Sequence, residues 1–165
     1  MIYYTKFKVP QLGRSFIIAG NSKGICYVAL HGNEKKFLKE LKDYLGDEAT
    51  KSAIKLSGAV KQLLEYFSGK RKVFNLRVFL NGRTFRTKAL VQLSKIKYGK
   101  TISYSELARR AGNKKAIRAA ASACANNPIP IIIPCQRVIA KDGSLGGFGG
   151  GLNMKRKMLT MEKAI

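Results

Sequence analysis

Acidic residues are scarce in this chain of 165 residues. Asp and Glu together number 9, whereas Lys and Arg number 32, and the formal net charge is +23 at pH 7. A field of one sign over a protein of this size concentrates polyanions and speeds encounter with them. The imbalance therefore indicates nucleic acid as the first candidate partner and an anionic membrane as the second. Apolar content is ordinary for a globular protein, so disorder is not expected to dominate.

Cysteine and histidine are also sparse. The chain has three cysteines, Cys26, Cys124 and Cys135, and a single histidine, His31. A small, odd set of cysteines argues against a disulfide framework and is typical of a reducing compartment. Cys26 and His31 are two candidate metal ligands, whereas structural zinc sites normally use four. We therefore expect no bound metal.

Long hydrophobic runs are absent as well. No stretch approaches the roughly 20 apolar residues that a membrane-spanning helix needs. Lys6 and Lys8 interrupt the apolar start of the chain, and no signal-peptide core follows them. We therefore expect a cytoplasmic protein that does not enter a membrane.

The first half of the sequence has the pattern of a small α/β domain. Runs rich in β-branched and aromatic residues predict strands over 2–9, 15–19, 24–30 and 73–80. Helical periodicity predicts helices over 34–45 and 59–67. Asn81-Gly82 is a turn dipeptide, and we place a domain boundary there, with residues 1–81 in one domain and residues 82–165 in the other.

After the boundary the pattern becomes mainly helical. One helix is predicted over 83–96, and Ser103 with Glu106 forms a capping-box pattern at the start of the next. Gly112-Asn113 ends that helix, and a further helix is predicted over 114–125. Two short helices joined by a glycine turn have the shape of a helix-turn-helix.

The second helix of this pair is basic at its start and then rich in small residues. Small side chains let a helix approach DNA closely, and cations contact phosphates. Alanine is also simply the best helix former, but the net charge and the glycine turn favour DNA binding. The candidate DNA contacts on this helix are Lys114, Lys115, Arg118, Ala119 and Ser122.

Residues 131–139, Ile-Ile-Ile-Pro-Cys-Gln-Arg-Val-Ile, form the most informative segment of the chain. The pattern places Cys135 at the edge of a buried strand, with the cation Arg137 two residues away. A nearby cation favours the thiolate, which is the nucleophilic form of cysteine. The same nine residues also fit a core strand that ends in an inert buried cysteine, and they leave both interpretations open.

With the neighbouring motifs added, the sequence resembles the methylated-DNA–protein-cysteine methyltransferase family, the alkylguanine-DNA alkyltransferases. The similarity runs from about Phe85 to Glu162 and is faint before it. It implies an α+β fold, with a small α/β, RNase H-like N-terminal domain and a mainly helical C-terminal domain containing the helix-turn-helix. The matching segments are 102–104, 113–118, 127–130, 133–138 and 146–151.

The resemblance implies a DNA repair activity without a cofactor. The protein is expected to bind double-stranded DNA containing alkylated guanine, to flip the nucleotide, and to move the alkyl group from the six-oxygen to Cys135, irreversibly and once per molecule. A monomer is the simple expectation. The position of Arg118 implies that it fills the space left by the flipped base. Tyr104 matches the residue that turns the nucleotide out and donates a hydrogen bond to the leaving base.

Further roles are implied in the same way. Asn127 matches the residue that ties the recognition helix to the active-site strand. Phe148, Gly149 and Gly150 match the loop that closes the guanine pocket, although many relatives have tyrosine and serine at the first two positions. Ser103 and Arg137 complete the expected DNA contacts.

The chain departs from the family pattern directly after the cysteine. The usual residue is a histidine that relays the thiol proton toward a glutamate, which Glu162 matches. Here the position holds Gln136, and glutamine cannot accept a proton near neutral pH. We expect transfer that is active, slower than in a histidine-containing relative and more dependent on pH, with cations favouring the thiolate.

Two other functions fit parts of the pattern. A helix-turn-helix protein that senses alkylated DNA or regulates transcription would bind without transfer, with Cys135 purely structural. A cysteine hydrolase is a third class, but no histidine stands near the thiol in the sequence. Retention of Cys135 favours the methyltransferase.

Overall fold

Two units follow one another along the chain, Met1–Asn81 and Gly82–Ile165. The computed structural model describes every residue from 1 to 165. The strands are β1 (Ile2–Val9), β2 (Arg14–Asn21), β3 (Gly24–Ala29), β4 (Ala49–Lys51), β5 (Ile102–Ser103) and β6 (Val138–Ile139). The helices are α1 (Glu34–Leu45), α2 (Ala53–Phe67), α3 (Phe85–Leu93), α4 (Tyr104–Arg110), α5 (Ile117–Ala125) and α6 (Leu152–Met161). None of these helices is both long enough and apolar enough to cross a membrane.

The first unit is built on a four-stranded sheet in the order β3-β2-β1-β4. β1, β2 and β3 form an antiparallel meander, and β4 pairs in parallel with β1. Phe16 and Ile17 are neighbours on β2, so their side chains point to opposite faces of the sheet. Ile17 belongs to the core cluster that contains Phe37 of α1, whereas the ring of Phe16 lies 5.8 Å from that of Phe67 in α2. The two helices therefore cover opposite faces of the sheet.

The strand predicted over residues 73–80 is wrong. Only one isolated bridge forms there, between Val78 and Ile25. The amide of Ile25 donates to the carbonyl of Arg77 at 2.8 Å, and the amide of Phe79 donates to the carbonyl of Ile25 at 2.8 Å. The segment therefore pairs with β3 only at Ile25 and does not form a continuous β-ladder with it.

The second unit contains the helix-turn-helix that the sequence predicts, formed by α4 and α5. Small residues from three elements meet in its core, where Ala89, Ala111 and Ala123 cluster with Phe85. The predicted cap is also present, since the Ser103 hydroxyl accepts a hydrogen bond from the Glu106 amide at 3.1 Å. Small side chains at the crossing let the helices pack closely, which explains the alanine content of α5.

The start of α5 differs from the prediction, because the helix begins at Ile117 rather than at residue 114. The Asn113 side chain accepts a hydrogen bond from the Lys115 amide at 3.0 Å, and the Asn113 carbonyl accepts one from Ala116 at 3.0 Å. An asparagine side chain that bonds the backbone two residues on favours a turn over a helix. Lys114 and Lys115 therefore lie exposed in the turn, not on the helix.

The buried strand predicted to end at Cys135 is also wrong. Residues 129–133 form a tight turn closed by a hydrogen bond from the Ile133 amide to the Ile129 carbonyl at 2.9 Å. Ile131 has a positive φ of 77°, and Cys135 opens a 3-10 turn that ends at Arg137. Prolines at 128, 130 and 134 lack the amide hydrogen that a ladder needs, so the apolar run is buried without becoming a strand.

Candidate active site

A two-residue sheet brings two distant parts of the second unit together. β5 pairs in parallel with β6, with Ile102 beside Val138 and Ser103 beside Ile139. Tyr104 follows β5 directly as the first residue of α4, and Cys135 precedes β6 by three positions. The short pairing therefore carries the tyrosine to the cysteine, although 30 residues separate them in the sequence.

Cys135 lies in a buried setting, with 5% of its surface exposed. Burial raises the pKa of its thiol, whereas the Asn127 side chain, the Lys155 charge and nearby backbone groups act in the opposite direction. The free protein therefore favours the protonated thiol more than the sequence suggested.

Asn127 is held by the turn that precedes the cysteine. Its side-chain amide donates to the Ile133 carbonyl at 2.8 Å, and its side-chain oxygen accepts from the Ile129 amide at 3.0 Å. The same side chain hydrogen bonds with the thiol of Cys135, which lowers that pKa. Its own amide donates to the Cys124 carbonyl on α5 at 3.3 Å, so one asparagine joins the last turn of α5 to the cysteine segment.

Lys155 lies at this site, and the sequence analysis did not identify it. Its side chain is fully buried, and the ammonium donates to the Val138 carbonyl at 2.6 Å and the Gly147 carbonyl at 3.3 Å. Its charge lowers the pKa of Cys135, and burial in turn lowers the pKa of Lys155 itself. The helical spacing of the buried residues Met154, Met158 and Leu159 places Lys155 on the apolar face of α6. That spacing was the available signal.

Arg137 does not play the part that the sequence suggested. Its guanidinium is buried, donates to both oxygens of Glu162 at 2.8 and 3.1 Å, and donates to the Ile96 carbonyl at 2.6 Å. A buried guanidinium that is paired with Glu162 is not available to contact DNA, and it does not favour the thiolate of Cys135. The expected DNA contact by Arg137 is therefore wrong, because the residue anchors the C-terminal helix instead.

Gln136 and Glu162 do lie together, as expected for a relay position. The Gln136 amide nitrogen donates to the Glu162 carboxylate at 3.3 Å, and both side chains are buried. The carboxylate already accepts two bonds from Arg137 and one from the Gly99 amide. An amide donor facing a saturated carboxylate cannot take a proton from Cys135.

Tyr104 is half-buried beside the two cysteines of the second unit. Burial raises the pKa of its hydroxyl, and negative charge on Cys124 or Cys135 raises it further. The phenol therefore stays protonated and available as a donor. Burial also raises the pKa of Cys124 to about 12, against the Lys155 charge, and Cys124 lacks the hydrogen bond that Asn127 makes with Cys135.

The glycine loop packs on this tyrosine. A Cβ added at Gly146 would lie 2.5 Å from the Tyr104 hydroxyl oxygen, and Gly146 has a positive φ of 67°. Beyond it, Phe148 and Gly150 are half-buried and Gly149 is exposed. The Gly151 amide donates to the Phe148 carbonyl at 3.0 Å and closes the loop.

The outer face of α5 carries small and basic side chains. Arg118, Ala119 and Ser122 are exposed, while Ala120 and Ala123 face the core. Ser103 is half-buried, and its hydroxyl is engaged as the cap of α4.

Cys26 and His31, the two candidate metal ligands, have different surroundings. Cys26 is buried in the sheet core, where burial raises the pKa of its thiol to about 11. The His31 ring lies 3.2 Å from the Glu40 carboxylate. No group of three or more His, Cys, Asp or Glu side chains is arranged to hold a metal ion.

The sequence matches two family models that together span nearly the whole chain. Residues 2–80 match the 6-O-methylguanine DNA methyltransferase, ribonuclease-like domain, and residues 84–164 match the 6-O-methylguanine DNA methyltransferase, DNA binding domain. Both descriptions agree with the α+β arrangement of an α/β first unit and a helical second unit.

Individual relatives give the same result. The methylated-DNA–protein-cysteine methyltransferase of Methanosarcina acetivorans is 35% identical over 161 residues, which cover 98% of each chain. That of Mycobacterium bovis is 45% identical over 108 residues, and the alignment spans 66% of this chain and 66% of the relative. The crystal structure of Mycobacterium tuberculosis OGT in complex with DNA superposes with a TM-score of 0.79 at 33% identity, covering 98% of this chain and 93% of that one. The two family models and the relative aligned over 98% of the chain agree with the helix-turn-helix and the buried Cys135, and the chain belongs to the methylated-DNA–protein-cysteine methyltransferase family.

Proposed function

We propose that Cys135 is the acceptor of an alkyl group that this protein removes from the six-oxygen of guanine in double-stranded DNA. The protein acts as a DNA repair methyltransferase of its family, once per molecule, because a thioether has no route back to a thiol here. One observation carries the assignment of the residue. Of the three thiols in the chain, Cys135 alone combines a hydrogen bond from Asn127 with the Lys155 charge.

The transfer is a single displacement. The Cys135 thiolate donates an electron pair to the alkyl carbon, the carbon–oxygen bond breaks, and its electron pair leaves with the six-oxygen of guanine. The resulting guanine anion takes up a proton. A sulfur nucleophile suits a saturated carbon, and the protein's part is to form the thiolate and to orient the base.

Tyr104 is suited to assist the leaving base. Its hydroxyl is kept protonated by burial, so it can donate a hydrogen bond to the purine as negative charge develops. Donors placed where charge develops stabilise the transition state more than the ground state. Its place at the start of α4 also lets it crowd the phosphate beside the target nucleotide.

The target base must leave the duplex, since its alkyl group is otherwise enclosed in the stack. The exposed face of α5 presents Ala119 and Ser122, which allow close approach to a groove, and Arg118, which fills the vacated space. Lys114 and Lys115 in the preceding turn contact phosphates. The loop at Phe148, Gly149 and Gly150 closes over the extruded guanine.

Without a histidine relay, the thiolate depends on Lys155 and Asn127. Both act against the effect of burial on the Cys135 pKa, so the reaction proceeds but rises with pH. Gln136 fills the relay position and holds the Glu162 carboxylate. We further propose that the protein works as a monomer, because residues 82–165 carry both the helix-turn-helix and the thiol. We propose the cytoplasm as its location, because three free cysteines fit a reducing compartment.

The experiment is intact-mass analysis after incubation with duplex DNA that contains O6-methylguanine. We expect a gain of one CH2 unit per chain, located on Cys135 by peptide mapping and absent in Cys135→Ser. Cys124→Ser is the matched control and retains the gain. Tight binding of the modified duplex without any gain in mass would refute the proposal and indicate a lesion-binding protein.

A further inference from the structure

A cavity of about 400 Å³ lies in the second unit, away from the residues around Cys135. Its walls come from two segments, residues 83–92 at α3 and residues 110–112 at the end of α4. Val91 and Ala111 are its apolar lining residues, and Thr84, Thr87 and Gln92 are polar lining residues. The activity proposed above does not use it.

The charge of this α3–α4 pocket has one sign. Arg83, Lys88 and Arg110 line it, and no acidic residue does. Arg83 and Lys88 are exposed, and neither side chain forms an ion pair or hydrogen bond within the chain. Arg110 is bound at 2.7 Å to Glu106, a carboxylate that also binds Arg109. Two cations at the pocket therefore remain available to an anion.

The pocket is continuous along the chain with the DNA-facing helix. Its last lining residue, Gly112, starts the turn that holds Lys114 and Lys115 and leads into α5. DNA bound at that turn has further backbone phosphates beyond it, because a duplex carries one negative charge every few ångströms along its axis. The apolar lining residues can contact a deoxyribose, and the cations can bind its phosphate.

We propose that the α3–α4 pocket binds a backbone phosphate of the DNA duplex outside the nucleotides that α5 contacts, which extends the footprint over α3. The inference rests on the proposed function only in taking DNA as the partner. The DNA backbone is favoured over a free phosphate or nucleotide because the turn that follows Gly112 supplies two further exposed cations, Lys114 and Lys115.

The test compares Arg83→Gln/Lys88→Gln with Lys95→Gln/Lys97→Gln, which removes two exposed charges beyond the other end of α3. Binding to an unmodified duplex of about three helical turns is measured at several salt concentrations. Each phosphate contact contributes about 0.9 to the slope of log affinity against log salt. The pocket variant loses one phosphate contact and should therefore lose about 1 from that slope, and the control variant less.

Two further measurements separate a pocket that binds the DNA backbone from other causes of weaker binding. The effect should shrink on a duplex of about one turn, roughly 10 base pairs, because the proposed phosphate lies outside the nucleotides that α5 contacts. Methyl transfer from free O6-methylguanine base should be unchanged, which keeps this inference distinct from a failure of the transfer reaction itself. An unchanged salt slope in the pocket variant, or inorganic phosphate that occupies the pocket without competing with DNA, would overturn the proposal.

Discussion

Replacement of Lys155 by glutamine tests how the thiolate forms in a chain without the histidine relay. Glutamine keeps a donor for the Val138 carbonyl but removes the charge that lowers the pKa of Cys135. Nearby Arg137 cannot compensate, because Glu162 neutralises it. The variant therefore isolates one buried charge.

The size of the effect follows from the environment of the thiol. An opposite charge at close range stabilises the ionised form of a group about 10- to 1,000-fold, so its removal in Lys155→Gln should raise the Cys135 pKa. A more basic thiolate is also a better nucleophile, with a Brønsted coefficient of about 0.4 to 0.5. On a logarithmic scale this gain offsets roughly half of the rate lost through the smaller thiolate fraction. The expected loss near neutral pH is therefore about 3- to 60-fold.

The assay is the single-turnover transfer rate measured across pH. In the wild type the rate should keep rising above the ordinary thiol pKa of about 8.5, because burial raises the pKa of Cys135. The variant's profile should lie at higher pH. Burial also lowers the pKa of Lys155, so the wild-type ammonium is lost as pH rises and the two profiles should converge in alkaline solution.

A matched control is available two residues away. Lys157 is exposed on the same helix, so Lys157→Gln makes the same charge change without touching the cysteine and should leave the profile in place. If Lys155→Gln slows transfer by one constant factor at every pH, the lysine acts by holding the loop and the electrostatic reasoning is refuted.

Three other changes probe the same site. Gln136→His should raise the rate at neutral pH and flatten its pH dependence, because an imidazole beside Glu162 can accept the thiol proton; an unchanged profile in stopped-flow transfer would contradict the relay argument. Gly146→Ala should slow transfer from DNA and cost about 1 to 2 kcal/mol of stability, since its Cβ meets Tyr104 and its φ is left-handed. Gly143→Ala, which has a similar left-handed φ of 86° but meets nothing within 4 Å, is its control, and equal effects would refute the packing explanation. Glu162→Ala should cost about 3 to 5 kcal/mol in urea unfolding, because it leaves a buried guanidinium unpaired; a loss below 1 kcal/mol would be inconsistent with a desolvated pair.

The two-unit fold and the helix-turn-helix could be predicted from local patterns. Runs rich in β-branched and aromatic residues mark β1 to β3, and the serine cap and glycine turn mark the limits of α4. Each of these signals is local, because the residues that encode the element are the ones that form it. The three-residue β4 gave no such signal, since its pairing with β1 depends on a distant strand.

The apolar run before Cys135 shows where pattern reading failed. Three β-branched residues in a row suggested a strand, but three prolines without amide hydrogens and a left-handed Ile131 produce a buried turn. The thiol is consequently enclosed, and its pKa is raised rather than lowered.

The sequence by itself determined the chemical groups available: one thiol in a Pro-Cys-Gln-Arg segment, a glutamine that cannot carry a proton, and a basic helix-turn-helix. Only the tertiary structure decided which cation serves the thiol. Arg137 is adjacent in sequence yet bound to Glu162, whereas Lys155 arrives from α6 and bonds the strand and loop on either side of the site. Coulomb interaction depends on distance and burial in the folded chain, and neither can be read from proximity along the sequence.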